Sequence, residues 1–203
     1  MFSVAELEGV LRLGRETRGI EFKTAGMRTD SHFFAKVMRA ALGMGNLRDG
    51  GHVVIGIDNA DPAAMQPGLN QAEVGSWTAY DDVSRKLAEY ATPPLAIGIE
   101  ALDLSSGVRV VVIEVEEFAD IPHLCAKDYP HALRKGALYV RPRKVPETSE
   151  IAGVVEMREV IDIATEKALR AYVGTARRAG IDLGSGAPSD ADLYEAERKA
   201  GWQ

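Results

Sequence analysis

The chain has 203 residues, of which 46% are hydrophobic and 27% charged, and its formal net charge is -6. That length and apolar content suffice for one compact domain with a true core. The negative charge argues against a surface uniformly coated for phosphate binding, although a local basic patch can still bind phosphates. No window approaches the run of about 18 apolar residues that a membrane span needs, so we expect a soluble, unprocessed protein without a membrane partner.

Cysteine usage bears on the compartment and on metal binding. Cys125 is the only cysteine, so it cannot form an internal disulfide, and nothing indicates an oxidising compartment. We therefore expect a cytoplasmic protein. His123 and His131 lie near Cys125, but these three residues lack the paired spacing of structural zinc sites, so we favour the interpretation without zinc.

Hydrophobic periodicity and turn residues divide the chain into helices and strands. Ser3 and Glu6 form a capping box before the first helix, and the turn at 103–107 is typical of an antiparallel hairpin. The predicted elements, in chain order, are a helix at 4–13, a strand at 20–23, a helix at 31–42, a strand at 52–57, a helix at 73–90, strands at 95–102, 108–118 and 137–141, and a helix at 149–179. This order predicts an α/β fold, an α+β mixed sheet with flanking helices and a long C-terminal helix.

The composition changes towards the end of the chain. Residues 1–180 are predicted to form a single domain. Glycine, serine and proline between 184 and 189 predict a flexible linker, which a short acidic tail follows. Residues 181–203 are therefore expected to be a linker and tail outside the domain.

Acidic and basic residues stand on two short apolar strands, which indicates a site for phosphates or a metal. Ile20 and Phe22 point to one face of the first strand, so Glu21 and Lys23 should be neighbours on the other. Asp58 closes the second strand, at an end where sheets commonly hold ligands. The alternative is an exposed Glu21–Lys23 ion pair of little consequence and a turn formed at Asp58.

Several motifs occur in a fixed order along the chain. The pattern E-x-x-x-x-E-F-K begins at Glu16, an A-N-x-x-G-G-like segment covers 41–51, and I-G-I-D covers 55–58. A later strand, L-Y-V-R, ends at Arg141. In their order and spacing these motifs resemble the Schlafen-type AlbA domain (the Schlafen AlbA DNA-binding domain family) over about residues 6–164.

This resemblance implies a Schlafen AlbA-like fold and binding of DNA or RNA. Some Schlafen proteins are metal-dependent endoribonucleases that act on transfer RNA, and the resemblance implies Glu16 and Glu21 as ligands of Mg²⁺ or Mn²⁺. The third ligand position, an aspartate in those relatives, is Asn59 here. An amide is neutral and a poor ligand for a hard cation. A site formed by Glu16, Glu21 and Asn59 therefore carries one negative charge fewer than the site of those relatives. Asp58 or Asp61 is the alternative source of that carboxylate.

Cationic residues form two groups, one between residues 12 and 28 and one between residues 134 and 144. If the strands that bear them adjoin, the two groups form one basic surface beside Glu16 and Glu21. The alternative is that they are solvated faces and long side chains covering apolar surface. The predicted nucleic-acid-binding residues are Arg18, Lys23, Arg134, Lys135, Arg141, Arg143 and Lys144.

Three hypotheses about function follow. The favoured one is a nucleic-acid-binding module that contacts the phosphate backbone by shape and charge, with DNA and RNA both open. The second is a metal-dependent nuclease in which Glu16, Glu21 and Asp58 hold the cation and Lys23 steadies the phosphate. The third is a non-catalytic interaction module in which the long last helix supports a homodimer.

Overall fold

The computed structural model describes residues 2–144 and 147–181. The helices are α1 (Val4–Leu11), α2 (Ser31–Gly45), α3 (Gln71–Thr78), α4 (Tyr80–Ala88) and α5 (Val154–Arg178). The strands are β1 (Ile20–Lys23), β2 (Gly51–Ile55), β3 (Ala91–Thr92), β4 (Ile97–Asp103), β5 (Arg109–Val115), β6 (Leu124–Cys125), β7 (Tyr139–Val140) and β8 (Ser149–Glu150).

A four-stranded mixed sheet in the order β1-β2-β5-β4 forms the centre of the fold. β1 runs parallel to β2, whereas β5 is antiparallel to both β2 and β4. β4 and β5 form the predicted antiparallel hairpin. Two short antiparallel pairs, β3 with β6 and β7 with β8, lie outside this sheet. The predicted fold class, a mixed sheet with flanking helices and a long C-terminal helix, is confirmed.

The sheet is buried on both faces. Val53 of β2 belongs to the cluster that α2 covers, whereas the next residue, Val54, belongs to the cluster that α1 covers. This alternation is the period of two expected for a strand. Leu7 and Leu11 of α1 are fully buried. The near-continuous apolar run of β2 therefore exists because helices lie on both sides of it.

The predicted helix at 73–90 is two helices in the structure. An Asn70–Glu73 capping box starts α3 earlier than expected. The chain then leaves helical geometry at Ala79, with φ -71° and ψ 78°. This break lets Trp77 and Val83 both face the core. No glycine or proline stands at the break, so the packing rather than a local signal sets it.

The last helix begins later than predicted. Ser149 and Glu150 are not helical, because they pair with Val140 and Tyr139 as strand β8. Helix α5 starts at Val154 and continues to Arg178.

Contacts divide the chain into two compact units, Met1–Ala164 and Thr165–Gln203. The first unit contains the sheet and the elements described up to the opening turns of α5, and the second begins with the remainder of that helix. The predicted linker and tail lie, apart from Ile181, outside the described residues. No helix within the described ranges combines the length and the apolar character that a membrane crossing needs.

Candidate functional site

Arg141 is a fully buried arginine that joins the two cationic groups of the sequence. Its side chain is 0% exposed and forms an ion pair with Glu21. It also donates to three backbone carbonyls just before and within β1, at Thr17 (2.8 Å), Arg18 (2.9 Å) and Ile20 (3.0 Å). Burial lowers the pKa of Arg141, while the charge of the Glu21 carboxylate opposes that shift. Arg141 therefore fixes the loop that precedes β1.

Glu21 lies inside the domain, although the alternating pattern places it on the outer face of β1. Its carboxylate is paired with Arg141 and with Lys23. The hydroxyl of Thr148 donates to the same carboxylate at 3.1 Å. Both carboxylate oxygens thus have charged or hydroxyl donors, as a buried carboxylate requires. The predicted Glu21–Lys23 contact is present, but it is part of a buried network.

Glu16 lies at the edge of this network. Its Oε1 accepts a hydrogen bond from the backbone N–H of Phe22 at 2.8 Å, which ties the loop to β1. Burial raises the pKa of Glu16, and the nearby charge of Glu21 adds to that rise. The Phe22 N–H and the charges of Arg141 and Lys23 act in the opposite direction.

The raised pKa of Glu16 predicts a pH-dependent gain from Glu16→Gln. In the folded state the ionised carboxylate of Glu16 is disfavoured, so its charge lowers the free energy of unfolding at pH values above the raised pKa. This destabilisation is lost as the pH falls through that pKa. Glutamine keeps the acceptor oxygen for Phe22 without the charge. We expect the variant to have the higher free energy of unfolding at pH 7 and to lose this advantage towards pH 4.

Urea unfolding at pH 4 to 7 measures this difference. Glu116→Gln, at an exposed position, removes the same charge and serves as the control. A Glu16→Gln variant that is less stable than the parent protein at pH 7 contradicts the account.

A surface groove of about 570 Å³ lies beside this network, and we call it the arginine groove. It is lined by Gly14, Arg15, Glu16, Thr17, Arg18, Asn59, Pro142 and Arg143. Three guanidinium groups thus share the groove with one carboxylate and one amide. Residues 15 to 18 come from the early cationic group and residue 143 from the late one, so the fold brings the two groups together.

Two of the arginines are held by one acidic residue of α5. Arg18 donates to Glu159 at 2.7 Å and to the Arg141 carbonyl at 2.7 Å. Arg143 reaches Glu159 at 3.4 Å and is 70% exposed. The hydrogen bond from Arg18 is the main reason that the pKa of Glu159 is lowered. Arg18 is therefore fixed in place, whereas Arg143 is solvated and weakly held.

The remaining predicted nucleic-acid-binding residues lie in different places. Arg141 is enclosed in the domain with its donors occupied, which removes it from the set that can reach a phosphate. Arg134 pairs with Glu150 and lines a separate cavity of about 230 Å³. Lys135 is exposed beside it, and Lys144 is exposed next to Arg143 in the chain.

The structure does not assemble the predicted Mg²⁺ or Mn²⁺ site of Glu16, Glu21 and Asp58. Within residues 2–144 and 147–181, no three histidine, cysteine, aspartate or glutamate side chains are grouped as metal ligands. Glu21 is occupied by its cationic partners, and Asp58 accepts from the Ala60 N–H at 3.0 Å in a turn. Asn59 is the residue of this turn that lines the arginine groove beside Glu16.

Sequence reasoning missed two residues that hold the site together. Thr148 bonds Glu21, and Glu159 holds Arg18 and Arg143. Both come from segments more than 100 residues away from β1, and neither stands in a local pattern that indicates the contact. Their roles follow only from the tertiary arrangement.

Asn46, which belongs to the A-N-x-x-G-G-like segment of the sequence, is buried and hydrogen-bonds two later segments of the chain. Its side-chain nitrogen donates to the His123 and Tyr139 carbonyls, both at 2.9 Å, and its oxygen accepts from the His123 N–H at 2.8 Å. It thus fixes two later segments against the end of α2.

Comparison with known proteins gives partial likenesses only. No protein-family model matches the chain, and no curated protein does. The DIP2311 protein from Corynebacterium diphtheriae is 18% identical with a TM-score of 0.48, over 73% of this chain and 26% of that one. The N-terminal domain of a putative ATP-dependent DNA helicase RecG-related protein from Nitrosomonas europaea is 23% identical with a TM-score of 0.40, over 58% of this chain and 74% of that one. The Schlafen AlbA resemblance stays a prediction from the sequence motifs.

Proposed function

We propose that this protein is a nucleic-acid-binding module that contacts the phosphate backbone through the arginine groove. The observation that carries the proposal is the charge at the groove, where the described lining places Arg15, Arg18 and Arg143 beside Glu16. Glu159 next to the groove pairs with Arg18 and Arg143, so three cationic groups stand against two carboxylates. This local excess of positive charge occurs in a chain whose net charge is -6. A concave surface lined by guanidinium groups suits phosphate oxygens, which arginine can bind through two parallel hydrogen bonds.

The groove supports backbone contact rather than base reading. Among the residues that the structure describes, no aromatic side chain lines the groove, so the stacking that single-strand binders use has no platform there. Arg15 is exposed and Arg143 extends into solvent, so both can follow a phosphate chain. We therefore expect binding that depends steeply on salt and weakly on base sequence.

The metal-dependent nuclease is the weaker alternative. It requires Glu21 as a metal ligand, yet that carboxylate neutralises the buried Arg141. If Glu21 turned to a metal ion, the charge of Arg141 would be left unpaired inside the domain, which would destabilise the fold. Glu16 and Asn59 remain at the groove, and they carry one negative charge between them at neutral pH.

The proposal predicts the effect of reversing two groove charges. Arg15→Glu with Arg143→Glu should weaken binding of a labelled RNA hairpin and of duplex DNA by at least about 10-fold. It should also reduce the slope of log affinity against log salt by about two, since two phosphate contacts are lost. Fluorescence anisotropy over a salt series measures both quantities.

Arg134→Glu with Lys135→Glu is the matched control, because it makes the same change in net charge away from the arginine groove. Equal losses in the two double variants would show that only overall charge matters. If Arg15→Glu with Arg143→Glu binds as tightly as the parent protein, the proposal is contradicted.

A further inference from the structure

A second groove continues from the arginine groove. It has a volume of about 580 Å³ and shares Thr17, Arg18 and Arg143 with the arginine groove. Because the same residues line both, the two grooves form one continuous concave surface. The residues described as lining it all belong to the first compact unit.

The second groove contains aromatic side chains, which the described lining of the arginine groove lacks. Phe2 and His52 line it, with ring centroids 4.3 Å apart and ring planes tilted by 40°. Both side chains are partly buried, so the fold holds each ring while the ring borders the open groove. Proteins that bind single-stranded nucleic acid stack bases on aromatic side chains in such grooves.

Backbone rather than bulky side chains lines the groove next to these rings. Gly19, Gly50 and Gly51 all contribute to the lining. A Cβ added at Gly19 would meet no heavy atom within 4 Å, so open space lies beside this residue. The groove therefore has room for a flat ring near Phe2 and His52, with Arg18 and Arg143 where it meets the arginine groove.

We propose that this second groove, which we call the base groove, holds an unpaired nucleobase of a strand whose phosphates lie in the arginine groove. This inference rests on the proposed function and narrows its ligand to single-stranded nucleic acid. In a duplex the bases are paired and stacked inside the helix, so they reach a side groove only after being flipped out. Stacking tolerates any sequence, because every base has a π face.

Charge alone predicts the opposite preference. The logarithm of affinity falls with the logarithm of salt concentration by about 0.9 per phosphate contact for duplex DNA and by about 0.7 for a single strand. The duplex has the denser charge and releases more counterions when it binds cations. A preference for the single strand therefore reports stacking in the base groove rather than attraction to arginines.

Fluorescence anisotropy of the full chain with two labelled probes tests the base groove. The probes are a thymidine oligonucleotide and a blunt duplex, each about 12 nucleotides long, which is within the site sizes of known single-strand binders. We expect the single strand to bind at least about 5-fold more tightly than the duplex.

Replacing Phe2 tests the contribution of its ring. Phe2→Leu keeps an apolar side chain against the cluster that contains Leu7 but removes the ring. It should weaken single-strand binding by at least about 5-fold and leave duplex binding unchanged, which also shows that the variant is folded. Phe2→Tyr retains a ring and should keep the parent affinity for both probes.

Blocking the base groove is an independent test. Gly19→Leu places a side chain where the fold has open space, so we expect it to weaken single-strand binding as Phe2→Leu does. Tyr80→Leu is the matched control, because Tyr80 is 50% exposed and lines neither groove. It should leave binding of both probes unchanged.

The outcomes separate this inference from the proposed function. If the parent protein binds the single strand no more tightly than the duplex, the base groove is overturned. The same holds if Phe2→Leu and Gly19→Leu both bind the single strand like the parent. In either case, loss of both probes in Arg15→Glu with Arg143→Glu still supports phosphate binding in the arginine groove. If the parent binds neither probe, both proposals fail.

Discussion

Replacing Arg141 with methionine is expected to destabilise the protein by about 3–5 kcal/mol, because it leaves a buried carboxylate without its main partner. Arg141 is 0% exposed and pairs with Glu21 inside the domain. The change also removes the donors to the carbonyls of Thr17, Arg18 and Ile20. Lys23 and Thr148 remain beside Glu21 and offset only part of the loss. Urea unfolding followed by circular dichroism measures the effect.

Two further variants make this prediction specific. Arg143→Met, two residues away and 70% exposed, should change the free energy of unfolding by less than about 0.5 kcal/mol. Adding Glu21→Gln to Arg141→Met removes the stranded charge and should recover about 1–3 kcal/mol. Equal effects of Arg141→Met and Arg143→Met would contradict the buried ion pair.

Gly50→Ala is the second substitution for which we expect a large effect, at least about 2 kcal/mol of lost stability. Gly50 has φ +70°, and a Cβ there would lie 2.1 Å from the carbonyl oxygen of Val115. The left-handed conformation alone costs a residue with a side chain about 1–2 kcal/mol. The atom that the added Cβ would meet is a backbone oxygen, so the clash can be removed only by moving the end of β5. Val115 is held there because it pairs with Gly51 of β2.

Gly107→Ala separates these two causes. Gly107 has φ +81° in the β4–β5 turn, and an added Cβ would have no neighbour within 4 Å. This variant should show the conformational cost alone, about 1–2 kcal/mol. The difference between the two variants, from chemical denaturation, measures the close approach of β2 to β5. If Gly107→Ala costs as much as Gly50→Ala, the close approach has no energetic effect.

Local sequence signals predicted most of the elements. The capping box at Ser3, the alternation around Phe22 and the turn before Val108 each depend on neighbouring residues, and the corresponding elements are present. The break at Ala79 and the late start of α5 were not predictable in this way. The first serves the packing of α3 and α4, and the second depends on pairing of β8 with the distant β7.

The candidate site was predictable only in outline. The two cationic groups were expected to meet if their strands adjoined. β1 and β7 belong to different sheets, yet Arg18 and Arg143 line one groove. Which arginine is buried and which is exposed could not be predicted, because Arg141 and Arg143 look alike in sequence. Only the fold places one inside against Glu21 and the other in solvent.

The most direct test of the proposed function is fluorescence anisotropy of the parent protein with a labelled transfer-RNA-like hairpin and with duplex DNA. The titration is made at low and moderate salt with Mn²⁺ present. We predict binding that weakens steeply with salt and leaves the probe intact. Anisotropy that falls with time, as the probe is cut, would support the nuclease instead, and no binding at either salt would contradict the central claim.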